Sequence, residues 1–145
     1  MWSAAAVLAC ALAMLGRSEH RFPPINLVET APRGASRNVE AFVTRDPGVI
    51  HIVTSAATFQ EVARYRYECG PRAAVAKLAS VLVHEEWHLR HGADERGAYS
   101  AQLTALSALG FDEFTSVYGG VKRSMLARLA KPPQIASLGT PDGRR

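Results

Sequence analysis

Cysteine is scarce. The 145-residue chain has two, Cys10 and Cys69. They lack zinc-ligand spacing, which excludes a cysteine-based metal centre. Cys10 lies in an apolar N-terminal stretch of the kind that export removes, so a structural disulfide is not expected. Cys69, before Gly70-Pro71, reads as a small, partly buried residue at a turn. Charge is also sparse, at 21% of residues against 48% hydrophobic. That balance excludes a disordered chain and supplies a core for one domain. The net charge of +4 and pI near 9.4 come from scattered cations such as Arg64, Arg66, Arg72, Lys77, Lys122, Arg123 and Arg128. No dense basic run interleaves with aromatics, so a solvated basic surface is expected and no nucleic-acid partner. The apolar run from Trp2 to Gly16 is too short to span a bilayer comfortably. There is no internal repeat.

That run has the length of a signal-peptide hydrophobic region. Ala9-Cys10-Ala11 and Ala11-Leu12-Ala13 offer cleavage-type triplets, and Val7-Leu8-Ala9-Cys10 loosely resembles a bacterial lipobox. Arg17 follows the run and no cation precedes it, the reverse of the usual bias. The chain therefore divides into an apolar segment at 1–17 (signal peptide or anchor), a domain at 18–131 and a loose tail at 132–145. The expectation is an exported or membrane-associated protein. The alternative is a cytoplasmic one whose first helix packs on the domain.

The domain reads as α+β. Ile25 to Thr30, Val39 to Thr44 and Val49 to Thr54 are short strands. Asp46-Pro47-Gly48 joins the last two as a hairpin, Pro presetting one turn dihedral and Gly supplying another. His51, within Val-Ile-His-Ile-Val, reads as structural. Thr58 to Tyr67 is a short amphipathic helix on which Tyr65 and Tyr67 pack. A long helix runs from about Pro71 to His91, a second from Glu95 to Leu109, and a third over Phe111 to Ala130, interrupted at Gly119-Gly120. In the third, Phe111, Phe114, Val117 and Tyr118 can cover the core, and Val121, Met125, Leu126 and Leu129 continue the apolar face.

The long helix carries His84-Glu85-Glu86-Trp87-His88. Residues four apart on a helix share a face, so His84 and His88 can grip one metal ion. Val75, Leu78, Leu82 and Leu89 fall nearly opposite, so one face can be buried while the other presents imidazoles. Trp87 points away by its phase and is assigned to packing. Gly92 supplies a stop. Glu85 sits where a carboxylate could take a proton from a metal-activated water.

A catalytic zinc site usually has three protein ligands and one open position. His91, Asp94 and Glu95 are the nearby candidates. Asp94 is a reasonable N-cap for the next helix. On that helix Glu95, Tyr99, Gln102, Leu106 and Leu109 form a stripe that begins polar and ends apolar. Glu95 is the first choice of third ligand, and Tyr99 can hydrogen-bond a substrate or a developing oxyanion.

His84-Glu85-x-x-His88 followed by Glu95-x-x-Ala98-Tyr99 resembles the zincin metallopeptidases over roughly residues 44–110. It is closest in style to the gluzincins, and in size to the single-domain minigluzincins. The resemblance implies a small zincin-like domain: a short antiparallel sheet or hairpin, then an active-site helix, a ligand-bearing helix and a C-terminal helix. It implies Zn2+ held by His84, His88 and Glu95, with Glu85 as general base, acting on a peptide or protein substrate. It also implies that Val49 to Val53 pairs an extended peptide along an exposed edge. Glu95 follows His88 by seven residues, shorter than the usual gluzincin separation and nearer the metzincin one. The metzincin pattern is not met, because His91 and Asp94 stand where that pattern has Gly and His. The expected function is a zinc-dependent metallohydrolase, most simply a small peptidase. The alternative is a non-catalytic metal-binding or interaction domain with the same shell.

Overall fold

A computed structural model describes residues 1–35 and 38–131. The tail expected at 132–145 lies outside the described residues. The elements run α1 (Ala4–Met14), one 3-10 turn (Glu19–Arg21), β1 (Ile25–Val28), β2 (Ala41–Thr44), β3 (Val49–Val53), α2 (Ala57–Ala63), α3 (Arg72–His91), α4 (Glu95–Ala108) and α5 (Ser116–Ala130). The architecture is α+β, as the residue pattern predicts.

The sheet has the order β1-β3-β2. β2 and β3 form the expected antiparallel hairpin, but β1 pairs parallel with β3, so the sheet is mixed. Residues 29–48, with β2 among them, join β1 to β3 and leave enough chain for the crossover that parallel pairing needs. The register rewards it: Ile25 sits opposite Ile50 and Leu27 opposite Ile52, while Val43 and Ala41 face the same two isoleucines from the other side. All six side chains thus share the sheet face that packs on the core. The left-handed turn residue is Asp46 (φ 60°), not Gly48. Asp tolerates that region better than most residues.

α3 is the central beam. Val75, Leu78 and Leu82 lie in the main core with Ile50, Ile52, Phe59 and Val62, and Leu89 packs against it, as the helical phase predicts. α2 is shorter than expected, and Tyr65 and Tyr67 beyond it are exposed. α5 runs unbroken through Gly119-Gly120. Phe114 and Leu126 do not cover the core; they are 87% and 55% exposed, because helix α5 starts after Phe114 and turns only its Val121 and Met125 side inward.

The N-terminal segment is a core element. Val7, Leu8, Cys10, Ala11 and Leu12 of α1 are buried in the same cluster as α3. Cys10 is joined to Cys69 by a disulfide, contrary to the expectation that the two stay unpaired. The bond spans 59 residues, a pairing that only the tertiary fold brings about. Arg17, just beyond α1, makes a two-pronged ion pair with the buried Glu86, at 2.7 and 3.4 Å, and Arg90 adds a third contact at 3.1 Å. Arg17 also lies over the Phe22 ring, 4.7 Å from its centroid. The cation that breaks the export pattern therefore neutralises a buried carboxylate. Among the described residues no helix is long and apolar enough to cross a membrane.

Candidate metal centre

α3 begins behind Pro71 and ends at Gly92, whose φ of 94° reverses the chain. A side chain would be strained there. The reversal aims the Gly92 carbonyl back at the preceding turn, where it accepts a hydrogen bond from His88 Nδ1 at 2.7 Å. Two residues later Asp94 caps α4, accepting from the Arg96 amide at 3.1 Å. α4 then starts at Glu95, so its first side chain faces the last two turns of α3.

His84 Nε2 and His88 Nε2 lie 3.1 and 3.2 Å from the same oxygen, Glu95 Oε1. Both rings are buried, and Glu95 is half-buried between them. These three residues form a group whose ligand atoms all lie within 4.8 Å of one another. The other two third-ligand candidates are elsewhere. Asp94 is engaged as the cap. His91 is exposed, stacks on Trp87 at 4.5 Å between centroids and contacts the Trp87 carbonyl. Trp87 in turn covers Gly97 so closely that a Cβ there would lie 2.2 Å from its ring. A side chain at residue 97 would therefore displace the Trp87 ring from its place against α4. His51 is not brought to the centre. It stacks on Phe42 and bonds with Asn26 and Thr44 on the sheet.

Glu85 is buried, with Oε2 3.9 Å from His84 Nε2. Burial raises its pKa, and the two histidines oppose the shift. Tyr99 sets its ring edge-on to His84, 4.6 Å between centroids, and burial followed by the Glu95 charge raises its pKa. Its hydroxyl therefore keeps its proton through neutral pH. Two contributors lie beyond the reach of local spacing. Arg128 of α5 pairs with Glu95 Oε2 at 3.1 Å, leaving Oε1 for the corner between the imidazoles. Gln102 of α4 bonds to His84 Nδ1 at 2.8 Å. The Gln102 position was legible as part of the α4 stripe; Arg128 had no signal beyond its charge.

The centre floors a cleft of about 660 Å³. One wall is β2 with the residues before it, and the other is α5 around Val121, Ser124 and Arg128. β3 does not offer the edge that the sequence suggests, because it is the middle strand and pairs on both sides. Among the described residues the free edge beside the cleft belongs to β2.

A backbone carbonyl can only accept a hydrogen bond, so His88 Nδ1 carries a proton. Its Nε2 then holds either a lone pair, available to a metal, or a second proton, shared with Glu95. The electrostatics agree. The hydrogen bond to Glu95 is the largest cause of a raised His88 pKa. Hydrogen bonds from His84 and then His88 hold the Glu95 carboxyl well below its ordinary value. In the metal-free protein the raised histidine stabilises below its ordinary pKa of 6.5 and ceases to as pH rises through the folded value. The depressed carboxylate stabilises above 4.5 and ceases to only as pH falls through its folded value. The stability that Glu95 adds should thus be largest between pH 4.5 and 6.5. Thermal melts of wild type and Glu95→Gln in chelator, taken across pH, should diverge most in that interval and converge in alkali. Curves that stay parallel throughout would contradict the shared proton.

Comparisons with protein-family models, curated proteins and solved structures found no match to this chain. The chemistry of the centre carries the functional reading.

Proposed function

We propose that this protein is a metal-dependent hydrolase. The observation that carries the reading is the convergence of His84 Nε2, His88 Nε2 and Glu95 Oε1 beside the buried Glu85 carboxylate. Two imidazole nitrogens and one carboxylate oxygen form a three-ligand set suited to zinc, with a fourth position left for water. More narrowly, we read it as a small zinc peptidase.

Zinc held by His84, His88 and Glu95 would supply Lewis acidity to a water and to a scissile carbonyl. Glu85 takes the proton of the attacking water and hands it to the leaving amine. Its burial favours this role, because desolvation makes a carboxylate a stronger base. Tyr99, protonated and against the ring of His84, donates a hydrogen bond to the developing oxyanion. An extended peptide fits along β2, which among the described residues is an outer strand of the sheet and borders the cleft. The Cys10–Cys69 bond supports an oxidising compartment, hence export, with α1 retained as part of the domain.

The test is zinc stoichiometry followed by Glu85→Gln. Wild type should hold one zinc per chain and cleave members of a broad peptide library. Glu85→Gln should keep the zinc and lose roughly 100- to 10,000-fold in rate. Zinc without cleavage by wild type would leave a non-catalytic metal-binding domain, and no zinc at all would remove the reading.

A further inference from the structure

His88 has its Nδ1 proton placed by a backbone carbonyl, which no side-chain substitution can reverse. His84 has no such carbonyl. Its Nδ1 faces the side-chain amide of Gln102 at 2.8 Å, and an amide can present either an acceptor oxygen or a donor nitrogen. Nε2 faces another acceptor, Glu95 Oε1, at 3.1 Å, so the direction of the amide decides whether Nδ1 can hold the ring's proton once a cation takes the Nε2 corner.

A buried chain of hydrogen bonds sets the direction. It starts at the Lys77 carbonyl, which can only accept. The Ser80 hydroxyl donates to it at 2.7 Å. With its proton committed, Ser80 Oγ accepts from Gln102 Nε2 at 3.1 Å. The amide oxygen is thereby turned to His84, which must donate from Nδ1. With the proton held there, Nε2 can present its lone pair to a cation in the corner it shares with Glu95 Oε1. Ser80 is fully buried and Gln102 is 4% exposed, so water does not compete for these bonds.

We infer that Gln102, locked in direction by Ser80, is a positioning residue that fixes the tautomer of His84 so that Nε2 is free to bind metal. The inference deepens the metal-site reading and rests on it for its significance. It also has a structural corollary. Ser80 belongs to α3 and Gln102 to α4, so the ring is set only when the two helices are packed together. Ligand chemistry is thus conditional on the helix pairing that brings in Glu95.

Two readouts test it: the ring nitrogens of His84 in long-range proton–nitrogen NMR of metal-free Glu95→Ala in alkali, where the competing carboxylate is gone, and zinc affinity of the protein with Glu95 intact by competition with a chromophoric chelator. The Glu95→Ala protein should show a single tautomer, protonated at Nδ1. Gln102→Leu should show mixed tautomers and bind zinc roughly 10- to 100-fold more weakly, the usual effect of losing a partner of a ligand. Ser80→Ala deletes one oxygen and should partly scramble the tautomer, because the amide is free to turn. Gln102→Glu should keep the Nδ1 proton, since a carboxylate only accepts. In that background Ser80→Ala should no longer alter the tautomer, a non-additivity that a packing role would not produce. Gln102→Leu with an unchanged tautomer in the Glu95→Ala background and, with Glu95 intact, zinc affinity within about 2-fold of wild type, well short of the usual loss, would overturn the inference. So would a Ser80→Ala effect of equal size in both backgrounds. If wild type binds no zinc, the proposed function falls, while the metal-free spectra still judge the role of Gln102.

Discussion

Glu95→Ala should lower zinc affinity by more than the roughly 100-fold that marks the upper end for loss of a ligand's partner, because a ligand itself is removed. Asp94→Ala and His91→Ala should stay close to wild type. The contrast follows from position. Glu95 Oε1 lies within 3.2 Å of both imidazole nitrogens, while Asp94 turns back to cap its own helix and His91 lies on Trp87. Some loss in Asp94→Ala is expected, since a missing N-cap costs roughly 1 kcal/mol of helix stability at the end that carries Glu95. Chelator competition on the three variants makes the comparison. Equal losses, or a larger loss from His91→Ala, would move the third ligand away from Glu95.

Cys69→Ala should destabilise the domain by about 4 kcal/mol, the loop-entropy value for a 59-residue closure. Against the roughly 5–15 kcal/mol of an ordinary domain this is a large share. The melting temperature should fall on the order of 10 °C. Cys69 is the informative partner because it is exposed, so its substitution leaves no cavity, whereas Cys10 sits in the core. Reductant should lower wild type to the same midpoint and leave the variant unchanged. A wild-type midpoint indifferent to reductant would show that the cross-link contributes nothing to stability.

The parts of the molecule that were legible in the sequence are those specified by near neighbours. The phase of α3, the shared face of His84 and His88, the Gly92 stop, the Asp94 cap and the placement of Glu95 all follow from spacings of a few residues. So does the β2–β3 hairpin. What was not legible depends on chain ends meeting across the core. The strand pairing β1 to β3, the bond from Cys10 to Cys69, the pairing of Arg17 with Glu86 and the reach of Arg128 to Glu95 join residues 25 or more positions apart. An apolar N-terminal helix has the same composition whether it is exported, inserted or packed. The position of β3 could not be told from an edge without knowing where β1 pairs. Gln102 lies between these cases: its face was readable, its partner was not.

Arg45 sits in the hairpin turn immediately after β2 and donates to the carbonyls of His88 and Leu89 at the end of α3. The His88 carbonyl also accepts from the Gly92 amide at 2.9 Å, so Arg45 is a second donor to it. It also fastens the strand that walls the cleft to the backbone of a ligand-bearing residue. An outward movement of β2 would pull, through one guanidinium, on the turn that holds His88. The wall of the cleft and the imidazole pair at its floor are thereby mechanically joined, with Arg45 as the tether.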